Sequence, residues 1–213
     1  MNNKNESVIL LHGLARRKTS FLIMEKALTD AGYHTVNFGY PSRKSSISTL
    51  AEDAINSALK SIPDGNQVHF VTHSMGGILV RQYLSQFAIP MLGRVVMLGP
   101  PNQGSEVVDA LRNVPGFKWF NGPAGLQLGT DKLSLLNKLG PANFDVGVIA
   151  GTRSVNLMLS RLLPFPNDGK VSVESTKLEG MKDHLCLPVT HTFMMMNPRV
   201  IKRVLTYLKF GHF

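Results

Sequence analysis

Ser74 is the residue from which a chemical reading can start. It stands in Val71-Thr72-His73-Ser74-Met75-Gly76-Gly77, between an apolar run and two glycines. A serine hydroxyl is a weak nucleophile and needs a base to take its proton, and the base needs an acid to orient it. A tight strand-to-helix turn presents such a hydroxyl at the carboxyl edge of a sheet, where a histidine can reach it. The helix that follows aims free N–H groups at any oxyanion formed there. Strand and helix backbones come close at such a turn, and Gly76 and Gly77 leave the room. The competing reading of Ser74 is a helix cap in a protein without catalysis.

Seven histidines are available: His12, His34, His69, His73, His184, His191 and His212. His34 and His69 fall in strand candidates, His212 lies in the terminal tail, and His73 adjoins the serine. His184 and His191 remain as bases. Candidate acids are Asp168, Asp183 and Glu174, since Asp145 lies too early in its strand. Asp168 sits in Asn167-Asp168-Gly169, which is also an ordinary turn sequence.

The elements that must position these groups alternate along the chain. Ser7–Leu11, His34–Phe38, Gln67–Thr72, Arg94–Leu98 and Phe144–Ile149 read as short apolar strands. Helices are predicted over Phe21–Ala31, Ile47–Leu59, Met75–Phe87 and Pro198–Leu208. Ile47–Leu59 carries the clearest apolar face, and Asn197 with Pro198 opens the last helix. Such alternation predicts an α/β fold, a mostly parallel central sheet flanked by helices. The long segment from Gly99 to Asn143 and the irregular stretch from Thr152 to Gly169 have the character of binding loops. At 213 residues, without a linker or repeat, one domain over residues 1–213 is expected.

With these motifs in order, the chain resembles the α/β-hydrolase family, and within it small bacterial-type lipases and esterases. The resemblance is carried by Leu10-Leu11-His12-Gly13-Leu14, by Thr72-His73-Ser74-Met75-Gly76-Gly77, by Asn167-Asp168-Gly169 and by Thr190-His191-Thr192. It implies a minimal version of the fold with a small cap or none. It implies Ser74 as nucleophile, Asp168 as acid and His191 as base, in the family's chain order. The backbone N–H groups of Leu14 and Met75 are the implied oxyanion donors, and His12 resembles a structural loop histidine. One position departs: the turn usually begins with glycine, and here Thr72 must find room beside the helix.

Loops at the carboxyl ends of the strands should hold the substrate. Phe117, Trp119, Phe120, Leu157, Met158, Leu162 and Phe165 are the expected apolar acyl pocket. Arg16, Arg17 and Lys18 follow the first loop closely. They are candidates to meet a lipid phosphate, an anionic leaving group or an anionic membrane surface. The formal net charge is +9, but the basic residues are scattered and lack the aromatic interleaving of RNA-binding motifs, so no nucleic acid is expected. Cys186 is the only cysteine and is expected as a buried thiol; no metal or organic cofactor is implied. The opening Met1-Asn2-Asn3-Lys4-Asn5-Glu6 and the short apolar run after it do not form a secretory signal, and no run approaches a membrane span, so a cytoplasmic protein is expected. The expected activity is hydrolysis of carboxylic, lipid-like esters through an acyl-enzyme. A thioesterase, amidase or acyltransferase would share the same triad. A non-catalytic protein binding membranes or anions would share only the fold.

Overall fold

The computed structural model describes residues 5–130, 135–155 and 157–213; the side chains of Lys118, Phe120, Asn137 and Leu157 lie outside that description. Six strands form one sheet: β1 Glu6–Leu11, β2 His34–Phe38, β3 Gln67–His73, β4 Leu92–Leu98, β5 Val146–Gly151 and β6 Asp183–Leu187. Their order is β2-β1-β3-β4-β5-β6 and every pairing is parallel. Both faces of the sheet are covered, which is why its strands read as apolar runs rather than alternating ones. Ile9, Leu11, Phe70, Met97 and Val148 point to one core, and Val8, Leu10, Val71, Leu98 and Ile149 to the other.

Helices α2 Ile47–Leu59 and α3 Met75–Leu84 cover the first face, while α1 Leu22–Asp30 and α9 Pro198–Phe210 cover the second. In α2 the buried residues Ile47, Leu50, Ala51, Ala54, Ile55 and Ala58 recur at helical spacing. Ser46 Oγ caps α2 by accepting the Thr49 N–H at 3.3 Å, and Asn197 Oδ1 caps α9 by accepting the Arg199 N–H at 2.9 Å. The predicted helix at Phe21–Ala31 is a short 3-10 turn, Lys18–Phe21, leading into α1.

Two expectations are corrected. The segment Gly99–Asn143 is not a plain loop: it carries α4 Glu106–Leu111, α5 Phe117–Leu126 and the short α6 Leu135–Lys138, with a kink in α5 at Gly122-Pro123. Cys186, expected buried, is exposed. It lies on β6, an edge strand that the sequence reading did not identify because Asp183 and His184 interrupt its apolar pattern. Two more short helices, α7 Leu157–Ser160 and α8 Val173–Thr176, lie between β5 and β6. No helix among the described residues is long and apolar enough to cross a membrane.

Candidate active site

Ser74 occupies the turn between β3 and α3 with φ 55° and ψ −123°. A non-glycine residue in that region is strained by about 1–3 kcal/mol and persists only where its surroundings hold it. Here the Ser74 N–H donates to the Leu98 carbonyl at 2.8 Å, and the Gly77 N–H donates to the Ser74 carbonyl at 3.0 Å. Gly76 is required by close approach, because a Cβ there would collide with the Leu11 carbonyl. Thr72 is accommodated where glycine is usual: its side chain is fully buried and its hydroxyl donates to the Val96 carbonyl at 3.5 Å.

His191 and Asp168 meet behind the serine. His191 Nδ1 and Asp168 Oδ2 are 2.7 Å apart, with both residues buried. A neutral imidazole bonded in this way carries its proton on Nδ1 and leaves Nε2 as the basic nitrogen. The other carboxylate oxygen of Asp168 accepts the N–H groups of Lys170 at 3.0 Å and Val171 at 2.8 Å. The His191 N–H donates to the Asp168 carbonyl at 3.1 Å, so the two residues are tied by main chain and side chain alike. Asn167 locks the turn beneath them, bonding Ser160 Oγ at 2.7 Å and accepting the Gly169 N–H at 3.0 Å.

Ser74, His73 and His191 line one cavity of about 240 Å³, with Asp168 behind His191. Among the described residues no hydrogen bond joins Ser74 Oγ to His191 Nε2; such contacts tighten when substrate binds. The other candidates lie elsewhere. His184 Nε2 is 2.9 Å from Thr176 Oγ1, Glu174 pairs with Lys177, Asp183 accepts the Phe213 N–H, and Asp145 accepts the Tyr207 hydroxyl.

The loop after β1 supplies the facing wall. The Ala15 N–H is taken by Ser42 Oγ at 3.0 Å and the Arg16 N–H by the Gly13 carbonyl at 3.2 Å. The Leu14 N–H and the Met75 N–H, the latter at the first position of α3, have no acceptor among the described residues. His12 braces this loop. Its ring stacks on Tyr40 at 4.2 Å, its Nδ1 bonds the Gly13 carbonyl at 2.9 Å, and its own carbonyl accepts the Tyr40 hydroxyl. Burial pushes the His12 pKa down, which keeps the ring neutral.

The acyl-pocket expectation is corrected in part. Phe117 lines the cavity, and Arg16 does as well. Trp119, Met158 and Phe165 are 80%, 82% and 76% exposed, and Leu162 also faces outward; none of the four lines the cavity. Leu157 and Phe120 carry side chains outside the described set. The apolar wall is built instead from Val108 and Leu111 of α4, Leu128, Leu159 and Val171. Helix periodicity decides this: Leu159 turns inward while Met158 beside it turns out.

Three further positions at the site escaped the sequence reading. Gly99 stands where a Cβ would come within 3.1 Å of His191 Nδ1 and 3.0 Å of Asp168 Oδ2. His73 Nε2 donates to the His191 carbonyl at 3.0 Å, and its ring lies 4.6 Å from that of His191. Its Nδ1 is buried without a partner, and burial, then the neighbouring His191, holds its pKa well below the ordinary value. Lys170 reaches the cavity from the Asp168 turn. Only the signal at His73, a polar residue beside the serine in a buried strand, was present in the sequence.

The model of the alpha/beta hydrolase family matches residues 8–179. Among solved structures, the mature lipase BlEst2 of Bacillus licheniformis superposes with a TM-score of 0.72 at 15% identity, covering 98% of this chain and 92% of that one. The lin2722 product of Listeria innocua gives a TM-score of 0.65 at 19% identity, with coverage of 97% and 94%. An esterase from Exiguobacterium antarcticum gives 0.65 at 17% identity, with coverage of 96% and 92%. No curated protein sequence matches the chain.

Proposed function

The chain belongs to the alpha/beta hydrolase family, and from that premise we propose that it hydrolyses carboxylic esters with Ser74 as nucleophile, His191 as base and Asp168 as its orienting acid. The observation that carries the reading is the convergence on one cavity: a strained Ser74 at the head of α3 and a His191 whose Nδ1 is held by a buried carboxylate at 2.7 Å. Ser74 Oγ attacks the ester carbonyl carbon while His191 Nε2 takes its proton. Asp168 stabilises the imidazolium that forms and holds its orientation. The N–H groups of Leu14 and Met75 donate to the oxyanion, each worth about 2.7–4 kcal/mol of transition-state stabilisation. The tetrahedral intermediate collapses with His191 protonating the departing alcohol. Water then attacks the acyl-enzyme, giving its proton to His191, and the acid leaves with Ser74 restored.

The cavity points to the acyl group. At about 240 Å³ it lies just under the roughly 300 Å³ at which drug-sized pockets begin, and its walls are mostly aliphatic. A short acyl chain fits inside; a long one must extend past the mouth. Lipase and esterase neighbours at low identity support an ester as the bond cleaved. The test is a p-nitrophenyl ester series from acetate to palmitate, with wild type and Ser74→Ala assayed together and a thioester of matched chain run beside them. Turnover that depends on Ser74 and is greatest for short oxygen esters supports the reading. Equal inertness of the two folded proteins overturns it, and faster thioester cleavage moves the bond from ester to thioester.

A further inference from the structure

The Ser74 cavity carries a charge pattern that the triad does not use. Two of its lining residues are cationic, Arg16 and Lys170, and no Asp or Glu lines it among the described residues. They reach it from distant parts of the chain. Arg16 sits just after the Leu14 loop, fixed by its N–H bond to the Gly13 carbonyl. Lys170 sits two residues after Asp168, fixed by its N–H bond to Asp168 Oδ1 at 3.0 Å and by the Ser105 hydroxyl on its carbonyl at 3.4 Å. The main chain is pinned at both places, while neither charged head has an ion pair or hydrogen bond among the described residues. Three other cations are engaged by partners: Lys177 pairs with Glu174, Lys182 with Asp145, and Arg81 is held by the carbonyls of Asn102 and Gly140.

The two charges also feel each other. Burial lowers the pKa of the Lys170 ammonium and the Arg16 guanidinium lowers it further, with Asp168 opposing. Both cations add to the depression of His73, beneath the serine. Two like charges at one cavity repel, with Asp168 offsetting this in part, and an anion seated beside them lowers that cost. The same cavity is also lined by the aliphatic residues Val108, Leu111 and Val171.

We propose that Arg16 and Lys170 form an anion subsite beside Ser74, so that the molecules this cavity accepts join a short apolar chain to a phosphate or carboxylate group. The identification of such a molecule as an ester rests on the proposed hydrolase function; the binding of charge does not. The test is titration calorimetry of the whole chain with hexyl phosphate, hexanoate, 1-hexanol and inorganic phosphate, on wild type, Arg16→Gln and Lys170→Gln. Both cations engage neighbours only through main chain, so folding is checked by melting temperature and is expected to persist. An anionic hexyl ligand should bind at least about tenfold tighter than hexanol, and each variant should lower that ratio about tenfold, as expected for charge-assisted hydrogen bonds. Which of hexyl phosphate and hexanoate binds tighter names the anion. Equal affinity for charged and neutral ligands, no binding of either anion, or inorganic phosphate binding as tightly as hexyl phosphate overturns the subsite. Turnover of neutral esters without charge discrimination removes the subsite alone, and charge-dependent binding without turnover removes only the hydrolase reading.

Discussion

The turn bearing Ser74 and the walls around its cavity are built in opposite ways. At the turn, the strain at Ser74 is held by hydrogen bonds to Leu98 and Gly77, and Gly76 packs against the Leu11 carbonyl with no room for a methyl group. The Asp168–His191 pair is buried, with both carboxylate oxygens of Asp168 and the Nδ1 of His191 bonded. The walls come in large part from short helices, α4, α5 and α7, with Leu128 and Val171 outside them, and neighbouring residues there divide between lining the cavity and facing outward, as Leu159 and Met158 do. Reacting groups must stay in place to within fractions of an ångström: Ser74 sits at the junction of β3 and α3, and the loops bearing Asp168 and His191 are tied to each other by main-chain and side-chain hydrogen bonds. Walls that only bound an acyl chain tolerate looser construction.

The largest expected effects break the rigid side. Ser74→Ala should lower ester kcat on the order of 10⁵-fold or more, and Asp168→Asn about 10⁴-fold through the wrong His191 tautomer, measured against the same p-nitrophenyl ester at matched folding. Next comes Gly76→Ala. Its methyl group would displace the Leu11 carbonyl, costing about 1–3 kcal/mol, visible as a lower Tm together with lost activity.

A smaller effect follows from buried histidines. His73 and His12 have pKa values below the ordinary 6.5, so the unfolded chain takes up protons that the folded one refuses. Their contribution is therefore present above pH 6.5 and declines as pH falls from there toward the folded values. Each should cost up to about 1.4 kcal/mol per pH unit inside that window. Urea melts between pH 7.5 and pH 5 measure this, and a flat stability profile would refute it.

The smallest effects sharpen the wall side. Phe117→Ala enlarges the cavity and should raise the octanoate-to-butyrate ratio of kcat/KM a few-fold. Trp119→Ala and Phe165→Ala, at exposed residues that do not line the Ser74 cavity, should alter soluble short-ester kcat/KM by less than about twofold. A larger loss in either would place those aromatic residues against the substrate.

Much of this contrast could be read before any coordinates. The alternating apolar runs identified five of the six strands, because a strand buried on both faces leaves a continuous signature. Ser74 stood out because a serine between an apolar run and paired glycines has few other uses, while His191 and Asp168 were singled out from His184, Asp183 and Glu174 by the family resemblance. Local order along the chain determined the alternating architecture, the caps at Ser46 and Asn197, and the strand-to-helix turn at Ser74. Only the tertiary structure decided which aromatic and aliphatic residues face the cavity, that Gly99 must lack a side chain beside Asp168 and His191, and that Lys170 and Arg16 line the same cavity. The reason is physical. A turn and a buried strand depend on neighbours in sequence, whereas the orientation of a four-residue helix and the meeting of two cations far apart in the chain depend on packing that no local pattern encodes.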